Sequence, residues 1–241
     1  MLIDTHSLYL QDTLILSSLK NVDWEDIAQD TSFIYIGDFG NNAKGNRQNL
    51  TILRVHKSSI HQSLIIVGSI NFSYSKQVDF QNQPANTSNF DCEAFIVMHD
   101  SLYLFTKEWS TYYTSIYVLP VKPGTYKAYY RGRFAVPGLI TGASFYATTN
   151  TIVFCGYSKT LQPFLYLLYD FPTHDLFKGN KRQIALNLPF YQVEGICSSD
   201  GYYYYFSNEK FSQSMIRVPQ QIHQLNLRPF LPSIKQEMNH E

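Results

Sequence analysis

A six-residue phrase recurs four times along the chain, and this repetition limits the possible folds more than any other feature. The copies occupy residues 23–28, 91–96, 141–146 and 192–197, and their third positions are Glu25, Glu93, Ala143 and Glu194. Thirteen residues after each third position come Asp38, Thr106, Gly156 and Ser207, each at or near the end of an aromatic, β-branched run. Self-similarity at a fixed spacing indicates a repeated supersecondary unit.

The composition favours β-structure and excludes two classes of interaction. The 241 residues include 19 Tyr and 17 Phe, whose side chains pack well on pleated sheets. Nineteen basic residues balance nineteen acidic ones without forming a basic stripe, so nucleic-acid binding is not expected. The longest apolar runs are far shorter than the roughly 20 residues of a transmembrane helix.

Period-two patterning predicts a succession of short strands. The strand candidates are residues 8–10, 13–17, 25–29, 33–37, 50–55, 64–74, 93–98, 101–106, 114–119, 126–134, 143–147, 151–156, 164–170, 182–188, 193–198, 202–207 and 214–218. Asp200-Gly201 is the strongest hairpin signal between two such runs, and His99-Asp100 and Thr149-Asn150 occupy the same place in other copies. These patterns predict an all-β chain.

The repeat favours a β-propeller over a sandwich or a barrel, because a sandwich does not require one motif about every fifty residues. We expect about five four-stranded blades, the first of them incomplete in this chain. Residues 1–218 are predicted to form this single domain, and residues 219–241 a loose C-terminal extension or a short helix. The polar stretch 77–90 is interpreted as a surface insertion.

The amino-terminal residues carry no secretory signature, since Met1 is followed at once by a mixed polar segment. The runs 7–10 and 13–16 are typical of the outer strands of a blade. We therefore expect the first strands of that blade to lie upstream of this chain.

Three cysteines do not form an even set, and the chain contains no Cys-x-x-Cys pair. Cys92, Cys155 and Cys197 fall at positions that are mostly apolar or small in the repeats. We expect them to be small buried hydrophobic residues rather than redox or metal-binding groups.

Several segments resemble one family of proteins. The segments are DWEDIAQD at 23–30, YIGDFGNN at 35–42, DCEAF at 91–95, LFTKEW at 104–109 and QVEGIC at 192–197. Over most of residues 20–215 the chain resembles uncharacterised bacterial secreted or lipid-anchored β-propeller proteins. The Glu-Gly-Ile phrase is more distantly similar to phytase-like, gluconolactonase-like and NHL-type propellers. The near resemblance implies a ring-shaped fold and an extracytoplasmic location; the distant families place a metal near the channel.

The repeated glutamates are the candidate functional residues. If Glu25, Glu93 and Glu194 are equivalent, three carboxylates converge on one axial region, which would favour a hard cation such as Ca²⁺. Further oxygen ligands could come from residues that follow second strands: Asp38, Asn41, Asn42, Asn208 and Glu209. In the alternative interpretation, the glutamates satisfy backbone N–H groups or pair with basic residues such as Lys107.

Other polar and aromatic features have structural interpretations. The loop 37–47 contains Asp, Asn and Gly at short spacing but no EF-hand pattern, so a glycine-supported connection is preferred to a cation loop. Trp24 and Trp109 are expected to pack between blades, with a sugar-stacking platform as the alternative. The seven histidines show no paired spacing that would indicate a metal or catalytic role.

The leading functional prediction is a non-catalytic binding protein, monomeric when complete, that holds a small ligand, a glycan or a protein at its channel mouth. The alternative is a metal-dependent hydrolase of the phosphoesterase or lactonase type, with Glu25, Glu93, Glu194 and Asn208 as ligands or bases. No Gly-x-Ser-x-Gly elbow, P-loop or dinucleotide fingerprint is found in the sequence.

Overall fold

The computed structural model describes residues 2–3, 10–12, 16, 19–60, 65, 67–136, 138–172, 175–213 and 215–231. Regular structure in these residues consists of strands and three short 3-10 turns at Lys57–Ser59, Leu176–Lys178 and Arg228–Phe230, which confirms the all-β prediction. None of the helical turns in the described part of the chain is long and apolar enough to cross a membrane.

The strands form consecutive antiparallel units. A first pair joins Leu2–Ile3 (β1) and Leu10–Asp12 (β2). The first unit contains Trp24–Gln29 (β3), Phe33–Asp38 (β4), Leu50–His56 (β5) and Val67–Tyr74 (β6). The second unit contains Cys92–Met98 (β7), Ser101–Thr106 (β8), Tyr113–Pro120 (β9) and Gly124–Ala135 (β10).

The remaining units continue this pattern. The third contains Leu139–Tyr146 (β11), Thr151–Tyr157 (β12), Pro163–Tyr169 (β13) and Asn180–Ala185 (β14). The fourth contains Val193–Ser198 (β15) and Tyr203–Asn208 (β16), then the hairpin Phe211–Gln213 (β17) and Ile216–Val218 (β18), then Gln221–Asn226 (β19). β19 pairs directly with β16, so the fourth unit is a three-stranded sheet with an inserted hairpin.

The first strands of successive units lie side by side: β7 contacts both β3 and β11, and β11 contacts β15. At the other end of the units, β6 and β10 pair in parallel, which joins the first two units into one eight-stranded sheet. The four recurring phrases of the sequence, each at or near a first strand, therefore lie next to one another in space.

The hydrophobic core is divided among the junctions between units. Tyr74 packs edge-on against Tyr117 between the first and second units, with ring centroids 4.7 Å apart. Phe105 meets Phe154 at 4.6 Å between the second and third units. Tyr204 lies in the third core, between the third and fourth units. In the described part of the chain, each of the three cores thus lies between two successive units, as expected of a repeated structure.

The hairpin turns predicted from sequence lie between the first and second strands of their units. His99, Asn150 and Gly201 all have positive φ, at 54°, 45° and 72°. At Gly201 a side chain would also collide with the ring of Tyr146, so both conformation and space require glycine.

Each first strand carries a β-bulge where it pairs with its second strand. The unpaired residue is Glu93 in β7, Thr141 in β11 and Glu194 in β15, and in β3 the register skips Glu25 and Asp26. A bulge reorients the side chain of the extra residue. The repeated phrase is thus the sequence signature of a repeated bulge.

The sequence alignment of the third copy is corrected by these bulges. Thr141, and not Ala143, is the structural equivalent of the repeated glutamates. The constant offset of thirteen residues does not mark a constant register, because the hairpin loops differ in length. Two residues (99–100) separate the paired strand ends in the second unit, and four (147–150) in the third.

One predicted boundary changes. The segment from Pro219 onward is not a loose extension throughout, because residues 221–226 form β19 and complete the sheet of the fourth unit. The predicted insertion 77–90 is irregular and packs on the neighbouring loop, where Gln77 Nε2 donates to Gly45 O at 2.9 Å. Most of the predicted strands 8–10 and 13–17 lie outside the described residues.

Candidate functional site

An acidic cluster lies on the line of first strands, where the bulges of β3 and β7 meet. One carboxylate oxygen from each of Glu25, Asp91 and Glu93 lies within 4.8 Å of the other two. Asp91 and Glu93 are buried and Glu25 is half-buried. We refer to these three residues as the acidic cluster. The convergence predicted for Glu25 and Glu93 is present, and Asp91 is an addition to it.

Lys107 provides one positive charge at the cluster. Its Nζ lies 2.5 Å from Glu93 Oε2, and both side chains are about 95% buried. The ammonium group also faces aromatic rings, 4.4 Å from the centroid of Trp109 and 5.2 Å from that of Tyr157. For Glu93 the structure therefore bears out the alternative interpretation of the sequence, in which Lys107 pairs with a repeated glutamate.

Asp91 is held by donors that fix both of its oxygens. Asn41 N donates to Oδ1 and Trp109 Nε1 donates to Oδ2, each at 2.7 Å. Each oxygen keeps a second lone pair for another partner. By contrast, no described residue donates a hydrogen bond to the Glu25 carboxylate.

A fourth carboxylate, that of Glu194, faces the same charges. Burial raises the pKa of Glu194 to about 7, although Lys107 acts in the opposite direction. Burial, together with Asp23 and Asp91, raises the pKa of Glu25 to about 8. Burial likewise raises the pKa values of Glu93 and Asp91. Near neutral pH the site therefore has to take up protons or another cation to balance its charge.

Asp26 follows Glu25 in the sequence but accepts hydrogen bonds from backbone N–H groups and is not part of the acidic cluster. Its Oδ2 accepts a hydrogen bond from Phe95 N in β7 at 3.1 Å, and Oδ1 accepts one from Ile27 N at 2.8 Å. The N–H of Ala143 in β11 also lowers its pKa, which burial nevertheless raises to about 7. Asp26 thus links the first strands of three units.

A cleft opens beside the cluster, between the first and fourth units. Its volume is about 380 Å³, and its apolar walls come mainly from β3, β4 and β5: Trp24, Ile27, Ile34, Ile36, Val55 and Ile60. Glu25, Asp26 and Glu194 also line it. Ile27 is 61% exposed and Trp24 is 36% exposed.

Asp38 and Asn41, two further candidate ligands, are structural. Asp38 forms a 2.8 Å ion pair with Arg47 and accepts hydrogen bonds from the backbone N–H groups of Val22 and Asp23. Asn41 positions Asp91 through its backbone, and its side chain accepts from Arg47 N at 2.9 Å. The preferred interpretation of the loop 37–47, as a connection, agrees with these contacts.

The other candidates are also outside the acidic cluster. Asn42 accepts a hydrogen bond from Asn86 N through its carbonyl at 2.9 Å. Asn208 is buried, donates to Pro219 O at 2.9 Å and contacts His223 Nε2 at 2.9 Å. Glu209 is exposed and acts on the cluster only through its charge, which raises the pKa of Glu194.

Cysteines and tryptophans follow their predictions in part. Cys92 and Cys155 are buried, as expected, but Cys197 is exposed. Trp109 is a hydrogen-bond donor within the site, and Trp24 lines the cleft.

The residue of the acidic cluster that the sequence did not identify as a candidate is Asp91. A signal for Asp91 was present, since Asp precedes the glutamate by two positions in both the first and second copies, at Asp23 and Asp91. A methyl group at Gly40 would collide with the carboxylates of both Asp23 and Glu25, so Asp23 also borders the site.

No protein-family model matches the chain, and the search of curated proteins finds no relative. The function therefore has to be inferred from the arrangement of the residues.

Proposed function

We propose that this chain is a β-propeller binding protein whose channel holds a divalent cation, with Ca²⁺ as the ion that fits best. The observation that carries the proposal is the meeting of Glu25, Asp91 and Glu93 within 4.8 Å. Four carboxylates, including Glu194, face one ammonium group, that of Lys107. A divalent cation would compensate the remaining charge.

The propeller interpretation rests on the arrangement of the units. First strands that lie side by side, with cores between successive units, are what a radial assembly requires. Four units are described, and we infer about five blades, with β1 and β2 as outer strands of the incomplete one. The bulges would then direct their acidic side chains toward the channel.

The donor set suits Ca²⁺ better than a transition metal. It consists of carboxylate oxygens only, which are hard ligands, and no described His or Cys takes part. Ca²⁺ accepts irregular geometry with six to eight oxygens, so waters can complete a shell that three carboxylates begin. Because Lys107 occupies one oxygen of Glu93, we expect weak binding, in the roughly 10⁻⁴–10⁻³ M range of extracellular modules. We propose an extracytoplasmic location for such a site.

The function is proposed to be binding rather than hydrolysis. Asn41 and Trp109 hold Asp91 through hydrogen bonds, and Lys107 forms an ion pair with Glu93. These contacts support a scaffold role for the two carboxylates, in place of a role as a free catalytic base. A small ligand, a glycan or a protein would be held at the channel mouth and its loops.

Calcium titration calorimetry of the wild type and of Glu25→Gln tests the metal. Glu25 is the suitable position, because its carboxylate has no described hydrogen-bond partner whose loss would disturb the fold. We expect the substitution to weaken Ca²⁺ binding at least about tenfold, since it removes one charged ligand. Asp100→Asn, at an exposed turn position, is the matched control and should bind Ca²⁺ as the wild type does.

Absence of Ca²⁺ binding at millimolar concentration in the wild type would contradict the metal site. Equal Ca²⁺ affinities of the wild type and Glu25→Gln would show that the ion binds outside the acidic cluster.

A further inference from the structure

A second cleft lies between the first and second units, beside the segments that border the acidic cluster. Its volume is about 380 Å³, and its lining includes Phe90 and Glu108, which adjoin Asp91 and Lys107 in the sequence. Both units have all four of their strands in the described part of the chain, so the missing strands of the incomplete blade do not belong at this junction. We propose that the cleft binds an organic carboxylate with an aromatic body. This inference rests on the proposed binding function and names the class of ligand.

Aromatic rings form the apolar part of the cleft. Phe90, Tyr117 and Tyr130 line it. The rings of Tyr117 and Tyr130 meet edge-on with their centroids 5.5 Å apart. The buried ring of Tyr74 connects two of these residues, since it lies 4.7 Å from Tyr117 and 5.6 Å from Phe90. Rings that pack on one another in this way form a fixed surface. An aromatic ligand body suits it, because aromatic rings favour edge-to-face and offset contacts.

Two cationic side chains, Lys76 and Arg133, also line the cleft, and both residues are exposed. The Lys76 ammonium group lies 5.6 Å from the ring centroid of Tyr130, and no described residue accepts a hydrogen bond from it. The Arg133 guanidinium packs 4.0 Å from the centroid of Tyr113 and lies 3.7 Å from Glu108 Oε2. An ion pair at that distance with an exposed arginine is weak. Both cations therefore have donors available for an anionic ligand.

Glu108, the one acidic residue of the described lining, is held by hydroxyl groups of the protein. Ser115 Oγ donates to its Oε1 at 2.5 Å, and Thr111 Oγ1 donates to its Oε2. The cleft thus has two positive charges and one negative charge, and the negative one is buried and already hydrogen-bonded. A ligand carboxylate at Lys76 and Arg133 would form charge-assisted hydrogen bonds, for which a guanidinium can supply two parallel donors.

Titration calorimetry with phenylacetate tests the proposal, with phenylacetamide as its neutral counterpart. The titrations use the full chain with chelator, and are repeated in millimolar Ca²⁺. We expect phenylacetate to bind at least about tenfold more tightly than the amide under both conditions, because only the carboxylate pairs with the two cations. Arg133→Gln and Lys76→Gln should each reduce this difference. Arg217→Gln, at an exposed position of β18 in the fourth unit, is the matched control and should retain it.

The aromatic surface is tested with a smaller ligand and a second variant. Acetate, which lacks the ring, should bind at least about tenfold more weakly than phenylacetate. Tyr130→Ala should weaken phenylacetate about tenfold. Tyr129→Ala should have no effect, because this neighbour in β10 is 64% exposed and does not line the cleft. Far-ultraviolet circular dichroism and the melting temperature establish that each variant is folded.

Equal binding of phenylacetate and phenylacetamide would overturn the anionic part of the proposal, and failure of both to bind would overturn the site. Phenylacetate binding that disappears with chelator would place the carboxylate at the metal and would also overturn the cleft. These outcomes are separate from the fate of the metal. Calcium binding without phenylacetate binding leaves the proposed function standing and removes this inference; phenylacetate binding without calcium binding supports the cleft and contradicts the metal site.

Discussion

The ammonium group of Lys107 faces four carboxylates and two aromatic rings in the interior of the molecule. Burial disfavours its charge, but Glu93 and Glu194 outweigh that effect and raise the pKa of Lys107. A buried ion pair of this kind contributes little net stability when intact, because desolvation offsets the attraction. Removing only one residue of the pair is costly, because the charge of the other residue is left buried without a partner.

Lys107→Met is therefore expected to lower the free energy of unfolding by about 3–5 kcal/mol, since Glu93 would be left buried and unpaired. Urea-induced unfolding measures this loss. Lys122→Met, at an exposed position, is the control and should leave the unfolding midpoint unchanged. The double variant Lys107→Met/Glu93→Leu should regain most of the stability. A single variant as stable as the wild type would show that the pair does not carry this role.

At the residue scale, the sequence identified Glu25 and Glu93 as convergent because they occupy equivalent positions of the repeat. The sequence did not show that Asp38 and Asn41 have structural roles. Asp38 pairs with Arg47 and Asn41 binds Asp91, and both contacts depend on how the loops pack rather than on a local sequence pattern. The sequence suggested Lys107 only as one basic residue that could pair with a repeated glutamate. Its pairing with Glu93 depends on the geometry of the bulge in β7, which the sequence does not give.

At the scale of strands and turns, local chemistry was a reliable guide. Turn residues that tolerate positive φ mark the hairpins, and alternating aromatic and β-branched residues mark the strands. The bulges were not predicted, because an extra residue changes the register without changing the composition of the strand. Thr141 was missed for this reason, and β19 because its polar sequence lacks an apolar pattern.

The hairpin between β15 and β16 provides a test at this scale. Gly201→Ala should lower the free energy of unfolding by about 1–3 kcal/mol, because a φ of 72° strains alanine and its methyl group meets the ring of Tyr146. Gly195→Ala in the same hairpin is the comparison. Its methyl group would meet only the Ser207 hydroxyl, at 3.1 Å, so a smaller loss is expected. Equal losses for both, measured by urea unfolding, would contradict the strained turn.

At the scale of the whole molecule, the repeat explains why charge accumulates in one place. Four bulged first strands lie side by side, and three of them present acidic residues to the same region. Burial, with a smaller contribution from neighbouring carboxylates, raises the pKa of Glu25 to about 8 and that of Glu194 to about 7 in the folded protein. The folded state then binds more protons than the unfolded state between the ordinary carboxyl pKa and these raised values.

The sign of the pH dependence follows from this difference. The stabilisation by protons is fully present below the unfolded-state pKa of about 4 and is lost as the pH rises through 7 and 8. A bound divalent cation would replace the protons, so its effect should grow as the pH rises.

The most direct test of a cation site in the acidic cluster is the melting temperature as a function of pH, with chelator and with millimolar Ca²⁺. Without metal, we expect the melting temperature to fall by about 5 °C or more between about pH 5 and about pH 8. Ca²⁺ should restore it at the higher pH in the wild type and much less in Glu25→Gln. A wild-type melting temperature at about pH 8 that does not respond to Ca²⁺ would contradict the central claim.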